Sequence, residues 1–261
     1  MNEMEQPPHN AFKPAGDHPV PKYRSATSAE VPGGVVWRIS PRHAIAAAGL
    51  CWLLFATTCL LVLSGHAEPL DHAGLLLWRQ GPLLMPRGPI WLLEAVRDLT
   101  ALGGVLLRSL FVAGAVALLI VLRRRREAWL LAITVVSGWV VESLLKLAVG
   151  RDRPVIVPHL TEAGGASFPS GHSFNAALVY IALALAFAAL TPRPRLRWML
   201  ILCAAVLSLA IAFSRVWLGV HFPSDALAGW SGGAAWAFTA AALLDRPAAK
   251  AAALVRQQPG V

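Results

Sequence analysis

The sequence predicts an all-α fold, a polytopic membrane helical bundle of six transmembrane helices with short interfacial helices in its first outer loop. Two observations carry this. The 261 residues are 56% hydrophobic and only 14% charged, too little polar surface for a soluble globule of this size. The apolar residues also fall in blocks of 16 to 21, about the length a helix needs to cross ~30 Å of hydrocarbon.

The blocks run, in order, over residues 44–63, 105–122, 129–149, 174–190, 198–213 and 225–244. The second contains Arg108 and the third Glu142 and Lys146; intramembrane charge points to function, although Arg108 could equally snorkel to the interface. Before the first block, residues 1–40 carry Pro, Gly, Ser and His and few large apolar side chains, which predicts a disordered cytoplasmic tail. This segment does not resemble a cleavable signal peptide, because the first apolar block starts too late and is too long. Residues 65–103 hold the semi-apolar stretches 75–78 and 90–96, broken by Gly81-Pro82 and Gly88-Pro89. Short helices on the outer leaflet, with Trp78 and Trp91 at headgroup level, fit that pattern. The domain reading is therefore a tail over 1–40, one six-span membrane domain over 41–246, and a cytoplasmic C-terminal tail over 247–261.

The net charge of +9 reads as topology and not as nucleic-acid binding, because the basic residues lie in loops flanking apolar blocks. Arg123 to Arg126, Arg193, Arg195, Arg197, Arg246, Lys250, Arg256, Lys13, Lys22, Arg24, Arg38 and Arg42 all fall on one side of six spans. The other side receives Arg79, Arg87, Arg97, Arg151, Arg153 and Arg215. The richer side is the cytoplasmic one, so both termini are expected in the cytoplasm and the loops after spans one, three and five face outward. Cys51, Cys59 and Cys203 sit within spans without metal-ligand or pairing spacing.

Three polar clusters share the outward ends of the spans. In the first, Lys146 closes span three and Arg153-Pro154 follows seven residues later; a guanidinium fork suits phosphate oxygens and an ammonium adds a point charge. The bland alternative is that Lys146 caps a helix end and pairs with Glu142. In the second, Pro169-Ser170-Gly171-His172 precedes the run from Phe174. Free N–H groups at a helix start form an anion site, Gly171 allows close approach, and Ser170 can cap the helix or donate its hydroxyl. A plain N-cap with an interfacial histidine would look the same, and Ser64-Gly65-His66 repeats the tripeptide at the end of a span with no role assigned. In the third, Ser214-Arg215 leads to His221, Pro223 and Asp225. Pro223 suits the first turn of the last helix, which brings the His221 imidazole within reach of the Asp225 carboxylate. A carboxylate on one ring N–H leaves the other nitrogen with its lone pair, as a nucleophile requires; alternatively Asp225 simply caps the helix. A metal held by His172, His221 and Asp225 would crowd basic side chains around a cation, which electrostatics disfavours.

Together these clusters resemble the three motifs of the type 2 phosphatidic acid phosphatase family, in order and without substitution, across residues 146–225. The resemblance implies a metal-independent, cofactor-free integral membrane lipid phosphatase. His221 would be the nucleophile, Asp225 its orienting partner, and His172 the acid and then the base. Lys146, Arg153, Ser170, Gly171 and Arg215 would hold the phosphoryl oxygens; Arg151 lies outside the strict motif. The expected partners are a lipid phosphate and membrane lipids, in a bacterial inner membrane with the site on its extracytoplasmic face. Alternatives are a phosphotransferase to a second lipid or sugar, a vanadium-dependent haloperoxidase, which six spans disfavour, and a non-catalytic scaffold or transporter. Phosphatidic acid, phosphatidylglycerol phosphate, polyprenyl diphosphate and lipid A phosphates are not distinguished, and neither is the oligomeric state.

Overall fold

The computed structural model describes residues 40–257. The tail expected over 1–40 lies outside them except for Ser40, as do residues 258–261. The regular secondary structure of the described residues is helical apart from one small hairpin, and residues 150–170 form an irregular segment. Its helices are α1 (Pro41–Leu63), α2 (Glu68–Leu76), α3 (Ile90–Ala101), α4 (Val105–Val121), α5 (Arg125–Val149), α6 (Gly171–Ala188), α7 (Pro194–Trp217) and α8 (Pro223–Gln257). Strands β1 (Arg79–Gln80) and β2 (Met85–Pro86) pair antiparallel between α2 and α3.

Local chemistry sets the helix ends. Ser40 accepts from the His43 N–H and Pro41 opens α1, while Pro194 opens α7; a proline there forfeits only an N–H that has no partner in the helix. Gly150 ends α5 in the left-handed region at φ 61°, a conformation that a side chain disfavours. The chain can then turn back across the end of the bundle.

Among the described residues, four helices are long and apolar enough to cross a membrane: residues 42–63, α5, α6 and α7. A fifth span arises if α3 and α4 are taken together across their 46° bend. The last expected span corresponds to α8, which continues to Gln257, past the boundary expected at residue 246. Outward-facing leucines such as Leu50, Leu63 and Leu147 are 69%, 68% and 82% exposed, as suits helices that face hydrocarbon.

At the centre stands α6, packed against α7 and α8, with α1 also packed along α8. Phe174, Leu178, Ile181 and Leu185 are each at most 1% exposed. Ala176, Ala177, Ala182 and Ala186 are buried beside them. In lipid, helices associate through close packing and not through water exclusion, and small side chains permit it. Gly229 of α8 shows how close: a Cβ there would meet the Ser170 carbonyl at 2.5 Å.

The first loop differs from two free helices on the leaflet. Asp71 and Leu75 of α2 are buried, and α2 docks against the start of α8, where a Cβ on Gly74 would lie 2.6 Å from Pro223 Cγ. α3 packs on α7. Trp78 stacks edge-on against Phe213 at 5.1 Å, whereas Trp91 is 68% exposed.

Candidate active site

The end of α5, the start of α6, the end of α7 and the start of α8 meet at one end of the bundle. They enclose a cavity of about 270 Å³ whose lining includes Lys146, Arg153, Gly171, His172, Arg215 and His221. Six of the eight residues expected at the site therefore line or border one space. Asp225 and Ser170 stand immediately behind its wall and are fully buried.

His221 lies in the short link between α7 and α8 and is 1% exposed. Its Nε2 faces Arg153, whose Nη1 donates at 3.0 Å. Guanidinium only donates, so Nε2 accepts and carries a lone pair. On the other side of the ring, Ser167 Oγ is 3.2 Å from Nδ1 and itself donates to Asp225 Oδ2 at 2.5 Å. With its own proton committed to the carboxylate, the hydroxyl oxygen accepts from Nδ1–H. The Nδ1–H tautomer follows from these assigned bonds. Burial drives the imidazole down to about 4, against the pull of the Asp225 carboxylate and with the help of Arg153 and Arg215. His221 is thus neutral near pH 7.

One expectation needs correction. Asp225 is not bonded directly to the imidazole: Oδ2 lies 3.6 Å from Nδ1, and the Ser167 hydroxyl bridges the two. The carboxylate is nonetheless fully engaged, because Oδ2 also accepts from the Phe222 N–H at 2.9 Å and Oδ1 from Arg151 Nη1 at 2.8 Å.

Arg153 is fixed by three further bonds, to the carbonyls of Val220 (2.8 Å), Gly164 (2.7 Å) and Gly165 (3.1 Å). Burial lowers its pKa, though not enough to threaten a guanidinium's charge. Lys146 serves both readings made of it: its Nζ lies 3.6 Å from Glu142 Oε1 and donates to the Ala166 carbonyl at 2.9 Å, yet it lines the cavity. Arg215 is 2% exposed, donates to Thr100 Oγ1 at 3.0 Å, and leaves Nε without a partner. An unpartnered guanidinium nitrogen in a cavity is a donor waiting for an acceptor.

Ser170 occupies the N-cap position of α6 but makes no side-chain cap bond; its Oγ accepts from Ser173 Oγ at 2.9 Å. Its N–H donates to the Asp225 carbonyl at 3.0 Å. Gly171 is needed for space, since a Cβ there would sit 2.7 Å from Glu142 Oε1 and 3.4 Å from Lys146 Cε. The repeated tripeptide at Ser64 is elsewhere and exposed, its Oγ bonded to His66 Nδ1 at 2.9 Å.

Sequence reasoning did not single out Ser167, Ser224, Thr100 or Asp71. Arg151, outside the strict motif, is central: it donates to Asp225, to Ser224 Oγ (2.8 Å) and to Asp71 Oδ2 (2.8 Å). Burial lowers its pKa, but the two carboxylates more than reverse this. Among the described residues no three His, Cys, Asp or Glu side chains are grouped so as to hold a metal ion.

Comparison with known proteins fits this arrangement. The sequence model of the PAP2 superfamily matches residues 126–247. Phosphatidylglycerophosphatase B of Bacillus subtilis is 33% identical over 144 residues, covering 54% of this chain and 70% of that protein. The chain belongs to the PAP2 superfamily. Another PAP2 relative, a lipid A 1-phosphatase of Rhizobium johnstonii, is 35% identical over 122 residues, 43% of this chain and 46% of that protein. This chain thus spans about half of that relative's length. The crystal structure of a transmembrane PAP2 type phosphatidylglycerolphosphate phosphatase from Bacillus subtilis superposes with a TM-score of 0.61 at 27% identity, covering 78% of this chain and 96% of that one. Like these PAP2 proteins, the chain is an integral membrane protein.

Proposed function

We propose that the chain hydrolyses a phosphate monoester or diphosphate of a lipid through a phosphohistidine on His221, without a metal ion. The observation that carries this is the Nε2 lone pair of a neutral, buried imidazole held 3.0 Å from Arg153 Nη1, in the cavity that Lys146, Arg215 and His172 also line. A phosphoryl group entering there meets the nucleophile and fixed cations at once.

In the first step the Nε2 lone pair attacks phosphorus, the bond to the leaving oxygen breaks, and His172 supplies that oxygen's proton. The positive charge formed on the His221 ring is met by Asp225, reached through Ser167. Lys146, Arg153, Arg215 and the Gly171 N–H, placed by Ser170, hold the phosphoryl oxygens as charge develops. In the second step His172 takes a proton from water, which attacks phosphorus and releases phosphate and neutral His221. Fixed cations fill the role that a metal has elsewhere in phosphoryl transfer.

Six spans, with α8 as the last, would place this end of the bundle on the extracytoplasmic face of the bacterial inner membrane and both termini in the cytoplasm. The distribution of basic residues supports that topology. α2 and α3 would then lie at the outer interface.

The test is hydrolysis of phosphatidic acid, phosphatidylglycerol phosphate and a polyprenyl diphosphate in EDTA. Free phosphate is expected from the wild type. His221→Ala is expected to lose about 10⁴-fold or more in kcat with normal expression. Strict dependence on an added divalent metal, or unchanged turnover by His221→Ala, would refute the mechanism. A reporter fused after Arg256 is expected to read cytoplasmic.

A further inference from the structure

Arg108 sits in the first turn of α4 and lines the same cavity as His172 and Arg215. It is 8% exposed, so it has not snorkelled out to an interface. Nη1 donates to the Gly103 carbonyl at 3.2 Å, the guanidinium carbon lies 5.8 Å from the Trp139 ring centroid, and Nε has no partner. Among the described residues Arg108 forms no ion pair, and the acid on the same wall, Glu142, is within ion-pair distance of Lys146. Glu142 is thus a carboxylate that Arg108 shares with Lys146, and a buried guanidinium with a free donor and only a shared counter-charge favours binding a further anion.

The phosphoryl group to be transferred already has Lys146, Arg153 and Arg215. Arg108 enters the cavity from α4 beside the second histidine: its anchor, Gly103, abuts His172, since a Cβ on Gly103 would be 3.3 Å from His172 Cδ2. In the proposed reaction His172 serves the leaving oxygen, whereas His221 attacks from the Arg153 side. Arg108 is thereby placed toward the departing half of the substrate.

We infer that Arg108 binds a second anionic group on the leaving side of the scissile bond. The preferred substrate then has a leaving group that itself carries phosphate. Two lipid types share that chemistry, a lipid diphosphate and a lipid with a phosphodiester beside its terminal phosphate. A monophosphate with no further anion, such as phosphatidic acid, leaves the Arg108 guanidinium without a ligand. This rests on the hydrolytic reading of the pocket and adds its selectivity.

The experiment compares wild type, Arg108→Leu and Arg108→Lys on a polyprenyl diphosphate, phosphatidylglycerol phosphate and phosphatidic acid in one detergent. Arg108→Leu is expected to lower kcat/KM about 10- to 100-fold on a substrate with the second anion, as loss of a charge-assisted bond does. On phosphatidic acid the loss is expected to stay under about threefold, and Arg108→Lys is expected to recover part of the difference. A selective loss on the diphosphate alone assigns the second anion to an adjacent phosphate; one on phosphatidylglycerol phosphate alone assigns it to a phosphodiester. Equal losses on all three lipids, or none, would overturn the inference. Turnover of none of them by the wild type would instead count against the hydrolytic reading. Binding separates the two: calorimetry should show inorganic diphosphate binding more tightly than orthophosphate, and Arg108→Leu should erase that preference. Equal preference in both proteins overturns the role of Arg108 whatever the turnover.

Discussion

Asp71 and Arg151 are 80 residues apart in the chain and 2.8 Å apart in space. The pair ties the first loop to Asp225, the carboxylate that Ser167 links to His221. Asp71 also accepts from the Ser224 N–H at 2.9 Å and from Ser224 Oγ at 2.6 Å, so one buried carboxylate fixes both Arg151 and the opening turn of α8. Phe222 completes the junction, with Arg151 4.3 Å from its ring centroid and His72 stacked on it at 6.1 Å.

If this junction aims Asp225, Asp71→Asn should lower kcat about 10- to 100-fold, the usual effect of losing a group that orients a reacting one. The inhibition constant for inorganic phosphate should stay within about threefold, because the cavity cations lie outside the junction. A parallel loss of both would make the junction a structural brace only.

Ser167 bridges Asp225 and His221, so Ser167→Ala should slow formation of the phosphoenzyme. Rapid-quench trapping is the measurement. A loss of about 10-fold or more is expected, with partial recovery in Ser167→Thr, which keeps the hydroxyl. An unchanged trapping rate would remove Ser167 from the path.

His221 also links stability to pH. The unfolded imidazole titrates near 6.5, the folded one at about 4. Between those values the unfolded state binds more protons, so stability is fully present above pH 6.5 and declines as pH falls to about 4. The Tm advantage of wild type over His221→Gln should therefore shrink from pH 7 to pH 4 in detergent. A gap that is constant or widens on acidification would contradict the buried neutral imidazole.

Gly171→Ala should displace Glu142 from its place beside Lys146, because the new methyl would lie 2.7 Å from Glu142 Oε1. Turnover is expected to fall on the order of 10-fold. The double variant Gly171→Ala with Glu142→Ala should recover part of it, since truncation makes room; no recovery would locate the damage elsewhere.

Much of this molecule was legible in its sequence because each legible part has local causes. Runs of apolar residues gave the helices, and proline or glycine gave several ends, as at Pro194 and Gly150. His172, His221, Lys146, Arg153 and Arg215 were legible because their spacing against helix ends forces them to one rim. Asp71 was not, since nothing within α2 distinguishes an inward carboxylate from a solvated one until α8 is beside it. Ser167 was hidden for a similar reason: a serine in a loop gains its role only from the two side chains it separates. The direct Asp225 to His221 bond was a sound inference from proximity that missed the hydroxyl between them. The bend between α3 and α4 likewise depends on packing, with Tyr180 of α6 donating to the Leu102 carbonyl at 2.8 Å.

The main-chain bond from Ser170 N–H to the Asp225 carbonyl fastens the first turns of α6 and α8 together without using a side chain. His172 lies in the first turn of α6 and His221 just before α8, so this bond joins the segments that carry the two histidines into one block, and of all substitutions at Ser170 only proline removes the donor. Diversification of what the enzyme accepts has little freedom on that block. It falls instead to the wall that α4 supplies, where the inward side chain of Arg108 can be exchanged without touching the bond that joins α6 to α8.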